Sequence, residues 1–275
     1  MNFMSKLLLV AFVWILVLEG LGQTMIKQQS AEAYYDINGE LNDSLVVSAS
    51  NEKRIALVIG NRAYKTSPLQ NAENDAADLA ELLVGKNFEV VKVIDGTRME
   101  MRDAVRAFTS KIAKGGIGLF YYAGHGVQAN NDNYLVPIDA DFEYENEVAD
   151  MCISVSRILN AMEISNNRLN IMILDACRNS PFNTFSRSAE KGMLSVEAPT
   201  GSIVAYSTAP GKTASDGTGR NGVYTSKLMK YMNVPGLSLE AIFKQVRIDV
   251  IKETSNRQIP WESNALVGDF YFTVD

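Results

Sequence analysis

Gly116-Ile-Gly-Leu-Phe-Tyr-Tyr122 is a continuous apolar run, and it ends on Ala123-Gly124-His125-Gly126. A run without polar alternation, closed by glycines, reads as a strand buried on both faces, the kind that parallel sheets are made of. Two other runs have the same character, Arg54-Ile-Ala-Leu-Val-Ile-Gly60 upstream and Asn170-Ile-Met-Ile-Leu-Asp175 downstream. Between the first run and the third strand, residues 71–84 carry Ala72, Ala76, Leu79, Ala80 and Leu83 at helical intervals. Residues 89–95 are β-branched strand chemistry, and residues 99–113 read as a second helix. The order β-α-β-α-β implies an α/β fold with a parallel sheet.

Beyond Gly126, residues 127–138 predict an extended hairpin around Asn130-Asn131-Asp132, and residues 155–165 a helix. The strand at 170–175 runs into a long polar loop, 179–200, and strand character resumes at 201–207. Residues 222–232 and 237–253 read as helices, and Phe270-Tyr-Phe272 as a final edge strand. The expected organisation is a targeting segment at 1–22, a polar arm at 23–53 and one folded domain at 54–275. The targeting segment is inferred from Lys6, the apolar stretch 7–18 and a small-x-small pattern ending at Gly22. The apolar stretch is short for a membrane span, so export with cleavage near Gly22 is expected, and membrane attachment only if the segment stays uncleaved.

The chain has 275 residues and a net charge of −6, with its basic residues scattered. Nucleic-acid binding needs a clustered positive face, so that class is excluded; an acidic protein suits basic substrates. His125 is the single histidine among these residues, and Cys177, in Leu174-Asp-Ala-Cys177-Arg178, follows about fifty residues later, a spacing found among cysteine peptidases. Both stand where an apolar run gives way to polar sequence, and open α/β sheets build their sites at that edge. A cysteine attacks as thiolate and needs a base, and histidine titrates in the right range. Gly124 and Gly126 free the backbone around His125 for unusual angles and for close approach of a substrate carbonyl. Taken singly, His125 could be a histidine in a glycine turn and Cys177 a packed thiol; in an oxidising compartment Cys152 and Cys177 could also pair, though a chain of this length folds without a staple. One histidine and one reactive cysteine leave no ligand set for zinc.

These motifs resemble the caspase-like cysteine peptidases, in particular the bacterial metacaspase relatives called orthocaspases. The resemblance runs from about Arg54 to Tyr271 and includes Leu57-Val-Ile-Gly60-Asn61, Asn74-Asp75-Ala76, Pro137 after Tyr134-Leu-Val, and Ala205-Tyr-Ser-Thr-Ala-Pro210 continuing to Asn221-Gly222-Val-Tyr-Thr225. It implies a caspase-haemoglobinase fold, a three-layer sandwich around a mostly parallel sheet. It implies Cys177 as nucleophile, His125 as general base and acid, the amides of Gly126 and Cys177 as oxyanion donors, and Asp75 and Asp175 as the walls of the pocket for the residue before the scissile bond. Two carboxylates there favour Arg or Lys in a peptide or protein substrate.

The sequence departs from animal caspases, which have Gln where Asp175 stands, and from many metacaspases, which have Ser where Ala123 stands. Asp216 resembles a further acidic position by the pocket, or is an exposed turn residue. Arg187 and Lys191 are expected autocleavage points, or a solvated basic loop. No cofactor is required; calcium, which some metacaspases need, could bind the acidic stretch Asp139, Asp141, Glu143, Glu145 and Glu147. A catalytically silent caspase-like domain that binds proteins, and an acyl-transferring relative, are the alternatives.

Overall fold

In a computed structural model of the chain, the described residues are 52–113, 115–165, 167–177, 193–209 and 219–274. The targeting segment, nearly all of the polar arm, Arg187, Lys191 and Asp216 lie outside them, as does the side chain of Cys177. The first half is the expected alternation: β1 (Arg54–Gly60), α1 (Ala72–Gly85), β2 (Glu89–Ile94), α2 (Arg98–Ile112) and β3 (Ile117–Ala129). A hairpin leads to β4 (Asp132–Leu135), and α3 (Val148–Met151), the short β5 (Ile153–Ser154) and α4 (Val155–Glu163) lead to β6 (Leu169–Cys177). Then come β7 (Ser202–Tyr206), α5 (Val223–Met232), α6 (Leu239–Glu253) and β8 (Trp261–Asn264). At the start of the fold, Arg168 donates twice to the Glu52 carboxylate, each at 2.7 Å.

The strands lie in the order β2-β1-β3-β6-β7-β8, with β4 and β5 attached beyond β3. All neighbours from β2 to β7 are parallel, and β8 closes the edge antiparallel to β7. Because β1, β3, β6 and β7 are buried runs, helices must cover both faces of the sheet. One face carries α1, α5 and α6 over Val58, Tyr121, Ile173 and Ala205. The other carries α2 and α4 over Leu57, Tyr122, Leu174 and Tyr206. This is the three-layer α/β sandwich expected from the sequence.

Two expectations are corrected. The third strand does not stop at Tyr122: β3 runs to Ala129, through Gly124-His125-Gly126. Its first part pairs with β1 and β6, and its last part turns to β4 through Asn130 (φ 49°) and Asn131 (φ 62°), residues suited to a tight hairpin turn. The final edge strand is Trp261–Asn264, not 270–272. Phe270 and Phe272 do alternate with Tyr271, but both rings are buried against Phe88 and the α1–α6 layer, and this segment makes only an isolated bridge, Ser238 to Tyr271.

Candidate active site

The β3–β6 ladder carries its register to the end: Ala123 faces Asp175 and His125 faces Cys177. Neighbouring strands are about 4.8 Å apart, so positions 125 and 177 stand side by side at the carboxyl edge of the sheet. Alternation along β3 puts His125 on the same face as Tyr121 and Ala123, the face covered by α1 and α5; Asp175 follows Ile173 onto that face.

His125 is 5% exposed and held from three directions. Its backbone N–H donates to the Tyr64 hydroxyl at 2.9 Å, and its carbonyl accepts from the Tyr122 hydroxyl at 2.7 Å. The Tyr64 ring packs on the imidazole at 4.4 Å between centroids. The Tyr64 hydroxyl donates to Val136 O at 3.0 Å, and burial pushes both phenols well above the ordinary tyrosine range, which keeps them protonated as donors. Nε2 lies 2.7 Å from Ser67 O. A carbonyl only accepts, so Nε2 carries the proton and Nδ1 is the basic nitrogen. Ser67 delivers that carbonyl from φ 56°, a left-handed conformation a residue before proline seldom adopts.

The glycines beside His125 serve space, not unusual angles. Among the described residues positive φ glycines are Gly115, Gly116, Gly201 and Gly236, so Gly124 and Gly126 keep extended strand geometry. A methyl on Gly124 would come within 2.4 Å of the Tyr122 hydroxyl and 2.7 Å of the Tyr64 hydroxyl. Gly126 faces Leu135 in a widely spaced pair whose bond runs from Val136 N to His125 O at 3.0 Å. The N–H of such a residue turns away from its partner strand, here toward the side where β6 ends.

Asp75 and Asp175 come from different elements and meet at the N-terminus of α5. Asp75, in the first turn of α1 and 4% exposed, accepts from Gly222 N at 2.9 Å. Asp175 accepts from the Thr225 hydroxyl at 2.7 Å. That hydroxyl has one proton, already given to the carboxylate, so the Tyr121 hydroxyl at 2.6 Å is the donor to it. A methyl on Gly222 would lie 3.1 Å from one Asp75 oxygen and 3.9 Å from one Asp175 oxygen, so the two carboxylates converge on one spot. Tyr121 registers both: burial raises its phenol most, and the negative charges of Asp175 and Asp75 raise it further.

A sequence model of the caspase domain matches residues 53–271. The chain belongs to the caspase domain family. Human mucosa-associated lymphoid tissue lymphoma translocation protein 1 is 40% identical over 126 residues, 46% of this chain, and the homologous mouse protein is 39% identical over 126 residues. The matched stretch spans 15% of the length of each of these relatives.

Within this caspase domain the expected residues Asp75, His125, Gly126 and Asp175, with position 177, gather at one edge of the sheet. Cys152 is a free, buried thiol in a separate apolar cluster with Tyr64 and Val136. Three acids of the stretch accept hydrogen bonds from backbone amides. Asp139 accepts from Arg98 N at the start of α2, Glu145 from Asn130 N, and Glu147 from Glu143 N and Tyr144 N. Among the described residues no three acids, cysteines or histidines are placed to hold a metal. Beside His125 lies an open depression lined by Tyr64, Lys65, Thr66, Ile138 and Asp141, among others.

Sequence reasoning missed the Ser67 carbonyl and the Asp78–Arg220 clamp. Arg220 donates to both Asp78 oxygens at 2.8 Å, which holds that carboxyl below its usual range and fastens residues 220–222 onto α1. Nothing in the residue type of Ser67 announces a carbonyl contact. The clamp had a faint signal, an Arg just before the Asn221-Gly222 pair.

Proposed function

We propose that the protein is a cysteine endopeptidase that cuts peptide bonds after Arg or Lys, with Cys177 as nucleophile and His125 as its base. The observation that carries this reading is the convergence of Asp75 and Asp175 beside the His125–Cys177 pair of strand positions. The Cys177 thiol gives its proton to Nδ1 of His125, and the thiolate adds to the scissile carbonyl. The developing oxyanion takes hydrogen bonds from the amides of Gly126 and Cys177. The imidazolium then protonates the leaving amine, and water, activated by the same imidazole, hydrolyses the thioester.

A guanidinium or ammonium entering between the two carboxylates gains charge-assisted hydrogen bonds, whereas an acidic side chain meets like charge. By its resemblance to a further acidic position, Asp216 is assigned to this specificity, and the enzyme cuts its own chain after Arg187 or Lys191. No cofactor is required for turnover, and calcium bound at the acidic stretch 139–147 acts as an activator. The test is digestion of an unfolded protein by the full chain, with and without calcium, and identification of the cut sites by mass spectrometry. Cuts confined to bonds after Arg and Lys, absent with Cys177→Ala, are expected. Cuts after Asp or apolar residues, or unchanged cutting by Cys177→Ala, would overturn the reading.

A further inference from the structure

The chain re-enters the described structure at Met193, just beyond Lys191, and goes straight beneath the active-site strand. Met193 is 2% exposed and packs in the layer with Ala176 and Tyr206. A methyl on Gly126 would meet Met193 Sδ at 3.0 Å, Met193 Cγ at 3.3 Å and Ala176 Cβ at 3.3 Å, so the thioether lies against the Gly126 backbone. The next residue is stitched to β4 from both sides: Leu194 N donates to Asn133 Oδ1 at 2.6 Å, and Asn133 Nδ2 donates to Leu194 O at 2.8 Å. Asn133 is wholly buried on the strand that pairs with the Gly126 end of β3. Ala198 N donates to the Ser263 hydroxyl at 2.9 Å, so the brace is pinned again at β8.

We propose that Met193 is a positioning residue for the Gly126 amide. The inference rests on the peptidase reading above, in which that amide receives the oxyanion. The Gly126 N–H turns away from β4 toward the end of β6, and Met193 and Ala176 form the wall against its Cα. A flexible thioether conforms closely to such a gap. A donor that drifts by a fraction of an ångström loses part of the roughly 10²–10³-fold that one oxyanion hydrogen bond contributes.

The test compares full-length wild type, Met193→Ala and Met193→Leu. Three quantities are read: kcat and KM on an Arg-ended fluorogenic peptide, the rate of alkylation of Cys177 by iodoacetamide, and the Gly126 resonance in a spectrum of ¹⁵N-glycine-labelled protein. Alkylation displaces iodide at a saturated carbon and builds no oxyanion, so it reports the thiolate alone. With Met193→Ala, kcat is expected to fall about 10-fold or more, with KM and alkylation within about twofold and the Gly126 resonance shifted; Met193→Leu restores most of kcat. A folded Met193→Ala chain with wild-type kcat overturns the proposal, as does an equal loss of alkylation and turnover, which marks a merely structural role. If wild type itself cuts no basic peptide, the peptidase reading fails, and an unmoved Gly126 resonance in Met193→Ala then separately overturns the positioning role.

Discussion

At His125 the chemistry depends on the position of one proton. The Ser67 carbonyl fixes it on Nε2, at the cost of a left-handed serine. Since the carbonyl and not the side chain is used, Ser67→Gly should keep kcat/KM within about twofold and raise stability by up to about 1 kcal/mol, read by chemical denaturation. A large loss of activity would mean that the serine hydroxyl matters. At Cys152, burial pushes the thiol from 9.0 up to about 12. The unfolded chain can then ionise this group at pH values where the folded chain cannot. Its effect on stability is nil below about pH 9 and grows by at most about 1.4 kcal/mol per pH unit up to about 12. A Cys152→Ala variant should therefore show a shallower fall of melting temperature across that alkaline window; identical slopes would contradict the assignment. His125 and Cys177 stand out in the sequence because each is a chemically distinctive residue at the end of an apolar run, whereas Asp75 and Asp175 are marked there only by the resemblance to caspase-like peptidases. Ser67 and Met193 do not stand out, because a backbone carbonyl carries no residue signature and a methionine reads as core.

Among the elements, β3 positions the site, and its course was only half legible. Its apolar first half announced a buried strand, but glycines normally end such runs, so its continuation through His125 to Ala129 was hidden. The edge strand shows the converse. Trp261-Glu-Ser-Asn is short and polar, as suits an exposed edge, while the strand-like Phe270-Tyr-Phe272 buries its rings against helices. Helix α5 contributes more than packing, since Gly222 and Thr225 at its start hold the two acids. Thr225→Val keeps the shape but removes the hydroxyl between Tyr121 and Asp175. It should lower kcat/KM for an Arg-ended peptide about 5–20-fold, corresponding to one lost hydrogen bond to a charged group. An unchanged value would show that Asp175 needs no such support. A chain cut after Lys191 keeps Met193 and Leu194 on the downstream piece, tied to β4 and β8. The two pieces should therefore co-migrate on gel filtration and separate only in denaturant.

For the whole molecule, α1, β3, β6 and α5 are far apart in sequence, yet the parallel sheet brings one end of each to the same edge. That convergence follows from the parallel strand order, whereas the meeting of the two carboxylates at Gly222 required the packed helices. On the proposed reading, the overall charge of −6 adds only a weak attraction for basic substrates, and selectivity falls to Asp75 and Asp175. The most direct measurement is kcat/KM on three fluorogenic peptides differing only in the residue before the scissile bond, Arg, Lys or Asp, for wild type and for Asp175→Asn. The expected result is turnover of the Arg and Lys peptides at least about 100-fold above the Asp peptide, and a loss of about 10–100-fold on the basic peptides in Asp175→Asn. Comparable turnover of the Asp peptide by wild type, or full activity of Asp175→Asn on Arg, would contradict an acidic pocket beside a cysteine nucleophile.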